Sequence, residues 1–236
     1  KEVPFCSIRK EDRPAYREAL AKQWREFLEW KAVQLLSLEE SAKVLQTAEK
    51  EAVMATRVLY RDKSSSLRSP SNQLPLRAKA RVLIPGHRDP ELLFGVRTDA
   101  PTVSRLSTML FLQLCVCFNF VPMSADIAAA FLQGDDLERQ AGNLYLKQPP
   151  EGFPGLQPGQ LLKVLKGVCG LAVSPRLWWT KFSKSVLGIE AQEKSGPYEG
   201  QVLRFKQSVF DPAVFVCHDN QNVLRGILAV HVDDLL

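Results

Sequence analysis

The amino-acid sequence predicts an α+β protein in which helices and strands are mixed along the chain. Apolar residues recur at helical spacing near the N-terminus, whereas later segments are short, β-branched and bounded by Gly and Pro. Strands and helices do not alternate strictly, so a regular βαβ arrangement is not expected. With 236 residues, 45% of them hydrophobic, the chain has enough material for one or two packed domains.

The first predicted helix begins near Pro14 and is amphipathic. Apolar side chains recur on one face of it and charged side chains on the other, and the apolar positions are Tyr16, Leu20, Trp24 and Phe27. These four residues are therefore expected to pack against the core.

Three more helices are expected. Ser37 and Glu40 have the spacing of a capping box, in which each side chain bonds the other residue's backbone N–H, so a helix should begin there and extend to about Lys50. Residues 102–118 are apolar over most of their length and predict a buried helix. Ser174 followed by Pro175 favours a helix start before 176–187.

The remaining regular segments are predicted to be strands, apart from a short helix at 128–133. The strands are 53–60, 79–84, 121–127, 143–147, 210–217 and 224–232. The first two should form a ribbon, since only a Ser- and Pro-rich loop separates them. With a boundary near Pro101, three segments are expected: a helical 1–52, a region 53–120 with the ribbon, and 121–236.

Composition argues for a soluble protein with reduced thiols. No run reaches the roughly 18 apolar residues of a membrane span, and the N-terminus lacks the pattern of a signal peptide. The five cysteines form no C-x-x-C pair and the three histidines are scattered, which argues against disulfides and a zinc site.

The positive charge is concentrated in the N-terminal part of the chain. Residues 1–100 hold 19 Lys/Arg against 14 Asp/Glu, and 57–97 alone hold nine against three. Such a patch suits a polyanion, whose binding should then weaken steeply with salt. A solvated basic surface without a ligand explains the count equally well.

Acidic residues occur at the C-terminal ends of two predicted apolar strands. Asp233 and Asp234 come directly after 224–232, and Asp126 lies near the end of 121–127. Two unit charges about 4 Å apart repel by about 4 kcal/mol near a protein surface, and a divalent cation would offset this. An Asp-Asp turn in water, and Asp126 as a helix N-cap, are the alternatives that the residues leave open.

Five motifs, in the same order, resemble the reverse transcriptase domain of copia-type retrotransposon polyproteins. They are ARVLIPG at 80–86, SADIAAAFLQG at 124–134, YLKQPPEGF at 145–153, VCGLAVSPRLW at 168–178 and HVDD at 231–234. The resemblance implies a right-hand polymerase, with residues 53–97 in the fingers and 121–236 mainly in the palm.

The resemblance also implies the site residues. Asp126, Asp233 and Asp234 match the metal-binding carboxylates, the backbone carbonyl of Ile127 is a further ligand, and the cofactor is Mg²⁺ with Mn²⁺ as a substitute. The nucleotide-binding candidates are Arg81, Phe131, Lys79, Lys63, Cys169 and Gly170. Phe131 matches an aromatic under the deoxyribose, with core packing as its alternative.

Two positions depart from the family's pattern. Cys169 stands where the family has a tyrosine beside the nucleotide pocket, and His231 replaces the tyrosine of the acidic hairpin. Neither change removes a metal ligand, although contacts to the primer are expected to differ. Trp178 and Trp179 are assigned to the core.

The expected function is RNA-directed DNA polymerisation, with a primed RNA or DNA template and deoxynucleoside triphosphates as partners.

Only two residues follow Asp234, so we expect a fragment of a longer polyprotein, or a decayed copy, without the return strand of the hairpin and the thumb. RNase H and integrase regions would be further partners, in a cytoplasmic particle or the nucleus. A non-catalytic nucleic-acid-binding remnant is the alternative. A two-metal phosphodiesterase is disfavoured because no hydrolytic base accompanies the acids.

Overall fold

The computed structural model describes residues 2–69, 71–192 and 199–236. The chain divides into two compact units that interleave along the sequence. Unit 1 contains Lys1–Arg97 and Phe131–Ser174, and unit 2 contains Thr98–Ala130 and Pro175–Leu236. Both units combine helices with sheets, so the α+β class is confirmed.

Within these residues the structure has four α-helices and twelve strands. The helices are α1 (Arg13–Glu29), α2 (Leu38–Thr47), α3 (Arg105–Cys117) and α4 (Ser174–Leu187). The strands are β1 (Val33–Leu35), β2 (Val53–Ala55), β3 (Arg57–Asp62), β4 (Ala78–Leu83), β5 (Ala125–Asp126), β6 (Tyr145–Lys147), β7 (Leu161–Val164), β8 (Glu190–Gln192), β9 (Val202–Gln207), β10 (Val214–His218), β11 (Leu224–His231) and β12 (Asp234–Leu235).

In unit 1, α1 packs against the antiparallel ribbon of β3 and β4. Its four predicted core residues are all buried, which confirms the amphipathic pattern. The Gln23 side chain accepts a hydrogen bond of 2.6 Å from the Val82 N–H and so ties the helix to β4. The register pairs Tyr60 with Ala80, and both side chains face the helix side of the ribbon and are buried. The predicted ribbon is present as β3 and β4. The single strand predicted at 53–60 is wrong, because β2 pairs with β6 in a different sheet and only β3 joins the ribbon.

A second sheet of unit 1 has the order β1-β7-β6-β2. Its core side chains include Leu144, Leu146 and Leu162, which are at most 1% exposed. β6 was predicted from 143–147, whereas β1 and β7 were missed because three or four residues carry too little periodicity. The capping box of Ser37 and Glu40 is present, although α2 ends at Thr47 instead of Lys50.

Two glycines bring the end of β4 against the segment before α4. A Cβ on Gly86 would lie 2.0 Å from the Gly170 carbonyl oxygen, and one on Gly170 would lie 2.2 Å from the Ile84 carbonyl oxygen. The Ile84 N–H donates to the Cys169 carbonyl at 3.2 Å. Only glycine fits at both positions. The contact joins the motif at 80–86 to the motif at 168–178, which are far apart in the sequence.

Buried charges fix another segment of unit 1. The Arg139 guanidinium forms a bidentate pair with the Asp89 carboxylate at 2.6 and 2.9 Å, with both side chains at most 5% exposed. The Glu91 carboxylate accepts from the backbone N–H groups of Gln140 and Ala141. Each buried charge thus has its partners, as burial requires.

Unit 2 is a six-stranded sheet, in the order β5-β12-β11-β10-β9-β8, with a helix on each face. Phe111 and Cys115 of α3 pack on Ala229 of β11. On the other face, Phe215 of β10 contacts the Trp179 ring of α4 at 5.9 Å between centroids. Trp178 and Trp179 are both buried, which confirms their assignment to the core.

Three predictions for unit 2 need correction. Helix α3 was expected to be buried, but only Phe111 and Cys115 are buried and five of its apolar side chains are more than half exposed: Leu106, Met109, Leu110, Leu112 and Val116. The predicted strand 121–127 is reduced to β5. The helix 128–133 is only a 3-10 turn at Ala130–Gln133, because Ala129 has a φ of 53° that no right-handed helix accommodates.

The predicted absence of a return strand after the acidic hairpin is also wrong. β12 pairs with β11 on one side and with β5 on the other. Two residues are enough to form a return strand here, because β12 pairs along both of its edges.

None of the helices in the described ranges is long and apolar enough to cross a membrane.

The contact between Gly86 and Gly170 predicts that one added methyl group strongly lowers the free energy of unfolding. Gly86→Ala should destabilise the protein by about 3 kcal/mol or more, because the added carbon overlaps backbone that cannot move aside. Gly226→Ala is a matched control, since its Cβ would meet the nearest atom at 3.7 Å. Urea denaturation followed by circular dichroism checks both, and equal midpoints for the two variants would contradict the contact.

The pKa values of three carboxylates predict how the free energy of unfolding depends on pH. Burial raises the pKa of Asp62, Asp211 and Asp219, but hydrogen bonds outweigh it and each pKa lies below its ordinary value of 3.8. The stability they contribute is therefore complete above about pH 4 and is lost as pH falls through the lowered folded values.

Urea denaturation at several pH values between about 6 and 3 measures this loss. Asp62→Asn should flatten the decline in the midpoint, because asparagine keeps an oxygen that accepts from the Ser64 and Arg77 N–H groups but has no carboxyl to titrate. Glu49→Gln, at an exposed position, should leave the decline unchanged. An unaltered decline in Asp62→Asn would contradict the assignment.

Candidate active site

The sheet of unit 2 places two of the predicted acids directly opposite each other. β12 lies between β11 and β5, and its register pairs Asp234 with His231 on one side and with Asp126 on the other. Residues paired across antiparallel strands project from the same face, with Cβ atoms about 4.5–5.5 Å apart. His231, Asp234 and Asp126 thus form one row, the strand-end row, and all three are exposed.

A tight turn connects β11 to β12 and carries the third acid. Val232 and Asp233 are its central residues, and Val232 has a φ of 60°. This conformation is rare for a β-branched residue and costs of order 1–3 kcal/mol. The turn leaves Asp233 half-buried at its tip, next to the strand-end row.

Two hydrogen bonds hold this turn in place. The Trp178 indole N–H of α4 donates to the Val232 carbonyl at 2.9 Å, and the Ile127 N–H donates to the Asp233 carbonyl at 2.8 Å. Sequence reasoning assigned Trp178 to the core and missed this support. Nothing in the sequence signals it, because 54 positions separate donor from acceptor.

The electrostatics of the row are unfavourable for the protein alone. None of the three aspartates forms an ion pair with Lys or Arg in the described part of the chain. Like charges directly opposite each other destabilise a pair of strands. The row therefore has a charge that stability does not explain and that a bound cation would offset.

The donor set fits a hard divalent cation that retains other ligands. Among residues 2–69, 71–192 and 199–236, no three His, Cys, Asp or Glu side chains converge closely enough to hold a metal by themselves. Mg²⁺ binds through one or two carboxylates and completes its octahedron with water and substrate phosphates. Asp126 and Asp234 satisfy that smaller requirement. The roles of Asp233 and of the Ile127 carbonyl as ligands stay predictions.

The basic nucleotide-binding candidates lie on the ribbon of unit 1. Arg81 and Lys79 are two positions apart on β4, so their side chains project from the same face, opposite the face that packs on α1. Arg81 is exposed and Lys79 half-buried. Lys63 is exposed beyond the end of β3, where its N–H donates to the Arg77 carbonyl. The ribbon thus presents a basic face, as its charge count predicted.

The other three candidates occupy two further segments of unit 1. Phe131 lies in the 3-10 turn after β5 and is half-buried, so its two predicted roles stay open. Cys169 and Gly170 form the segment that Ile84 and Gly86 contact. Gly170 has a φ of 103° and no room for a side chain, which is a structural reason for glycine independent of any ligand.

Curated relatives of the chain are retrotransposon polyproteins. It is similar to the Retrovirus-related Pol polyproteins from transposons RE1 and RE2 of Arabidopsis thaliana, at 26% and 24% identity over 160 residues, and from transposon TNT 1-94 of Nicotiana tabacum, at 28% over 162 residues. Each match covers 68% of this chain but only 10–11% of the relative. The chain thus spans about a tenth of their length.

No solved structure shows a significant match to the chain. Residues 42–236 match the model of one protein family, described as reverse transcriptase (RNA-dependent DNA polymerase), and this range includes all five motifs and the strand-end row. The resemblance to copia-type retrotransposon polyproteins is thereby confirmed. The chain belongs to the reverse transcriptase family.

Proposed function

We propose that the protein is the RNA-directed DNA polymerase domain of a retrotransposon polyprotein and that the strand-end row is its catalytic centre. The observation that supports this most strongly is the register of β12, which sets Asp234 opposite Asp126. Neither carboxylate forms an ion pair with Lys or Arg among the described residues. Exposure of both carboxylates leaves their oxygens accessible to a large substrate.

The proposed reaction is nucleotidyl transfer. The primer 3′-oxygen forms a bond to the α-phosphorus of a deoxynucleoside triphosphate, the bond to pyrophosphate breaks, and the hydroxyl proton leaves to solvent. Two Mg²⁺ ions, when bound, would lower the pKa of the hydroxyl and neutralise the charge on the phosphates. Mn²⁺ would serve as a substitute.

The chain's own residues hold the groups in position. Asp126 and Asp234 supply carboxylate oxygens from two paired strands, whose ladder fixes their separation. Asp233 supplies a third carboxylate from the turn, and the Ile127 carbonyl a further oxygen. Preorganised ligands of this kind stabilise the transition state because they need no rearrangement during the reaction.

Residues 53–97 are proposed as part of the fingers and residues 121–236 mainly as the palm. Arg81 would bind the triphosphate, with Lys79 and Lys63 as weaker contributors, because cations on an exposed ribbon face attract phosphates. Phe131 would contact the deoxyribose, and Cys169 and Gly170 would line the nucleotide pocket. A primed template, and the thumb, RNase H and integrase regions of a polyprotein, are the proposed partners, in a cytoplasmic particle or the nucleus.

The carboxylate assignment predicts loss of activity with retention of fold. Asp126→Asn and Asp234→Asn should each reduce primer extension on oligo(rA)–oligo(dT) with dTTP and Mg²⁺ by about 1,000-fold, since metal charge stabilisation contributes several kcal/mol. Removing one of two opposed charges should leave the urea midpoint unchanged or raise it.

Glu138→Gln provides the control, because this carboxylate is exposed in unit 1 and lies outside the row. It should extend primers like the unmodified chain. Equal rates for Asp126→Asn and the control would refute the proposed centre. If no form extends a primer but all bind nucleic acid, the protein is a binding remnant.

The nucleotide assignment predicts a change in KM. Arg81→Ala should raise the KM for dTTP about tenfold with little change in kcat, because a contact present in both the ground and transition states affects binding alone. Arg88→Ala, exposed beyond the same strand, is the matched control. Steady-state primer extension at varied dTTP measures both, and an unchanged KM in Arg81→Ala would count against a triphosphate contact.

A further inference from the structure

A cleft in unit 1, separate from the basic ribbon, collects cations from two distant parts of the chain. It has a volume of about 660 Å³, and its lining includes Lys31 after α1, Lys163 on β7 and Lys166 just beyond β7. Trp30 and Asn143 also line it. Lys31 is remote in sequence from Lys163 and Lys166, so a local charge count does not reveal that the three lysines share a cleft.

The three lysines are not neutralised by the protein. None of them forms an ion pair within the described residues, although Glu29 and Asp136 line the same cleft. Asp136 is the backbone bridge partner of Lys166, yet no salt bridge joins their side chains. Lys163 has Gln34 and Tyr145 as its cross-strand neighbours. The cleft therefore has an excess of unpaired positive charge.

One wall of the cleft is rigid. Arg139 lines it while its guanidinium is held by the buried Asp89 carboxylate and its Nε–H donates to the Gly142 carbonyl at 2.8 Å. On the opposite side, the N–H groups of Leu165 and Lys166 both donate to the Ala32 carbonyl, at 2.8 and 3.2 Å. The lysines are thus presented from a fixed backbone, which lowers the cost of ordering them around a ligand.

The position of Lys31 is favourable without a ligand, whereas the positions of Lys163 and Lys166 have no such explanation. Lys31 follows the C-terminus of α1, where a positive charge is favourable without any ligand. Lys163 and Lys166 have no such role, and neither forms an ion pair among the described residues. These two residues therefore carry the inference.

We propose that this cleft binds a single strand of nucleic acid, with its phosphates on Lys163 and Lys166 and one base stacked on Trp30. A positive groove with an aromatic face is the combination that binds single strands without sequence preference. The volume accommodates a nucleotide unit, since pockets for small ligands span about 300–1,000 Å³. The proposal deepens the polymerase function by adding a strand site remote in sequence from the ribbon.

Fluorescence anisotropy of a short labelled oligo(dT), measured on the whole chain without metal or triphosphate, tests the proposal. The double variant Lys163→Gln/Lys166→Gln should weaken binding at least tenfold at low salt. It should also reduce the slope of log K against log salt by about 1.4, since each lost phosphate contact contributes about 0.7 for single strands. Trp30→Leu should weaken binding about tenfold without changing the slope, because base stacking contributes about 1–3 kcal/mol.

Two controls separate the cleft from general charge. Lys10→Gln/Lys43→Gln removes the same charge from exposed positions of unit 1 outside the cleft and should change affinity less than twofold. Asp136→Asn should strengthen binding, because it removes an anion from the lining. Equal effects of the two lysine pairs, or no effect of either, would overturn the proposal. So would inorganic phosphate competing as well as the oligonucleotide, since the cleft would then take phosphate alone.

The catalytic proposal is tested separately, by primer extension beside the binding measurement. Asp126→Asn, which should reduce extension about 1,000-fold, should bind oligo(dT) like the unmodified chain. Loss of extension with retained binding leaves the cleft standing. Retained extension in Asp126→Asn together with the lysine effect would refute the catalytic centre but not the cleft.

Discussion

The pairing of β12 between β11 and β5 is the constraint on which the site of unit 2 depends. Because this strand has only two residues, a shift of one position would move Asp234 to the opposite face of the sheet and away from Asp126. The register is held from both sides. Ala229 and Leu236 exchange backbone hydrogen bonds of 2.9 Å on one side, and the Ile127 N–H bonds the Asp233 carbonyl on the other.

This arrangement costs stability in two places. Val232 adopts a left-handed conformation that suits glycine, and the carboxylates of Asp126 and Asp234 are placed opposite each other. The surrounding structure offsets both, since Trp178 anchors the turn by its indole N–H and α4 is itself packed on the sheet. Backbone strain and opposed carboxylates at one turn are typical of a site selected for chemistry.

Unit 1 uses different means to hold its ligand-binding candidates. The contact between Gly86 and Gly170 joins the strand of Arg81 to the segment of Cys169, so residues about 90 positions apart become neighbours. The buried pair of Arg139 and Asp89 then fixes the wall of the lysine cleft. A ribbon with one buried and one basic face, and a cleft with unpaired lysines, both present positive charge on fixed backbone, which suits a polyanionic partner.

The sequence by itself determined the α+β class, the four helices and the basic ribbon, and it offered Asp126, Asp233 and Asp234 as candidates, because amphipathic spacing, capping and strand-end position are local properties. Tertiary structure decided the rest. The exposure of the apolar α3 side chains depends on which faces find partners, and the 3-10 turn after Asp126 depends on the positive φ of Ala129. The opposition of Asp126 and Asp234 and the grouping of the cleft lysines depend on strand register. Register is set by long-range hydrogen bonding, and a local pattern does not encode it.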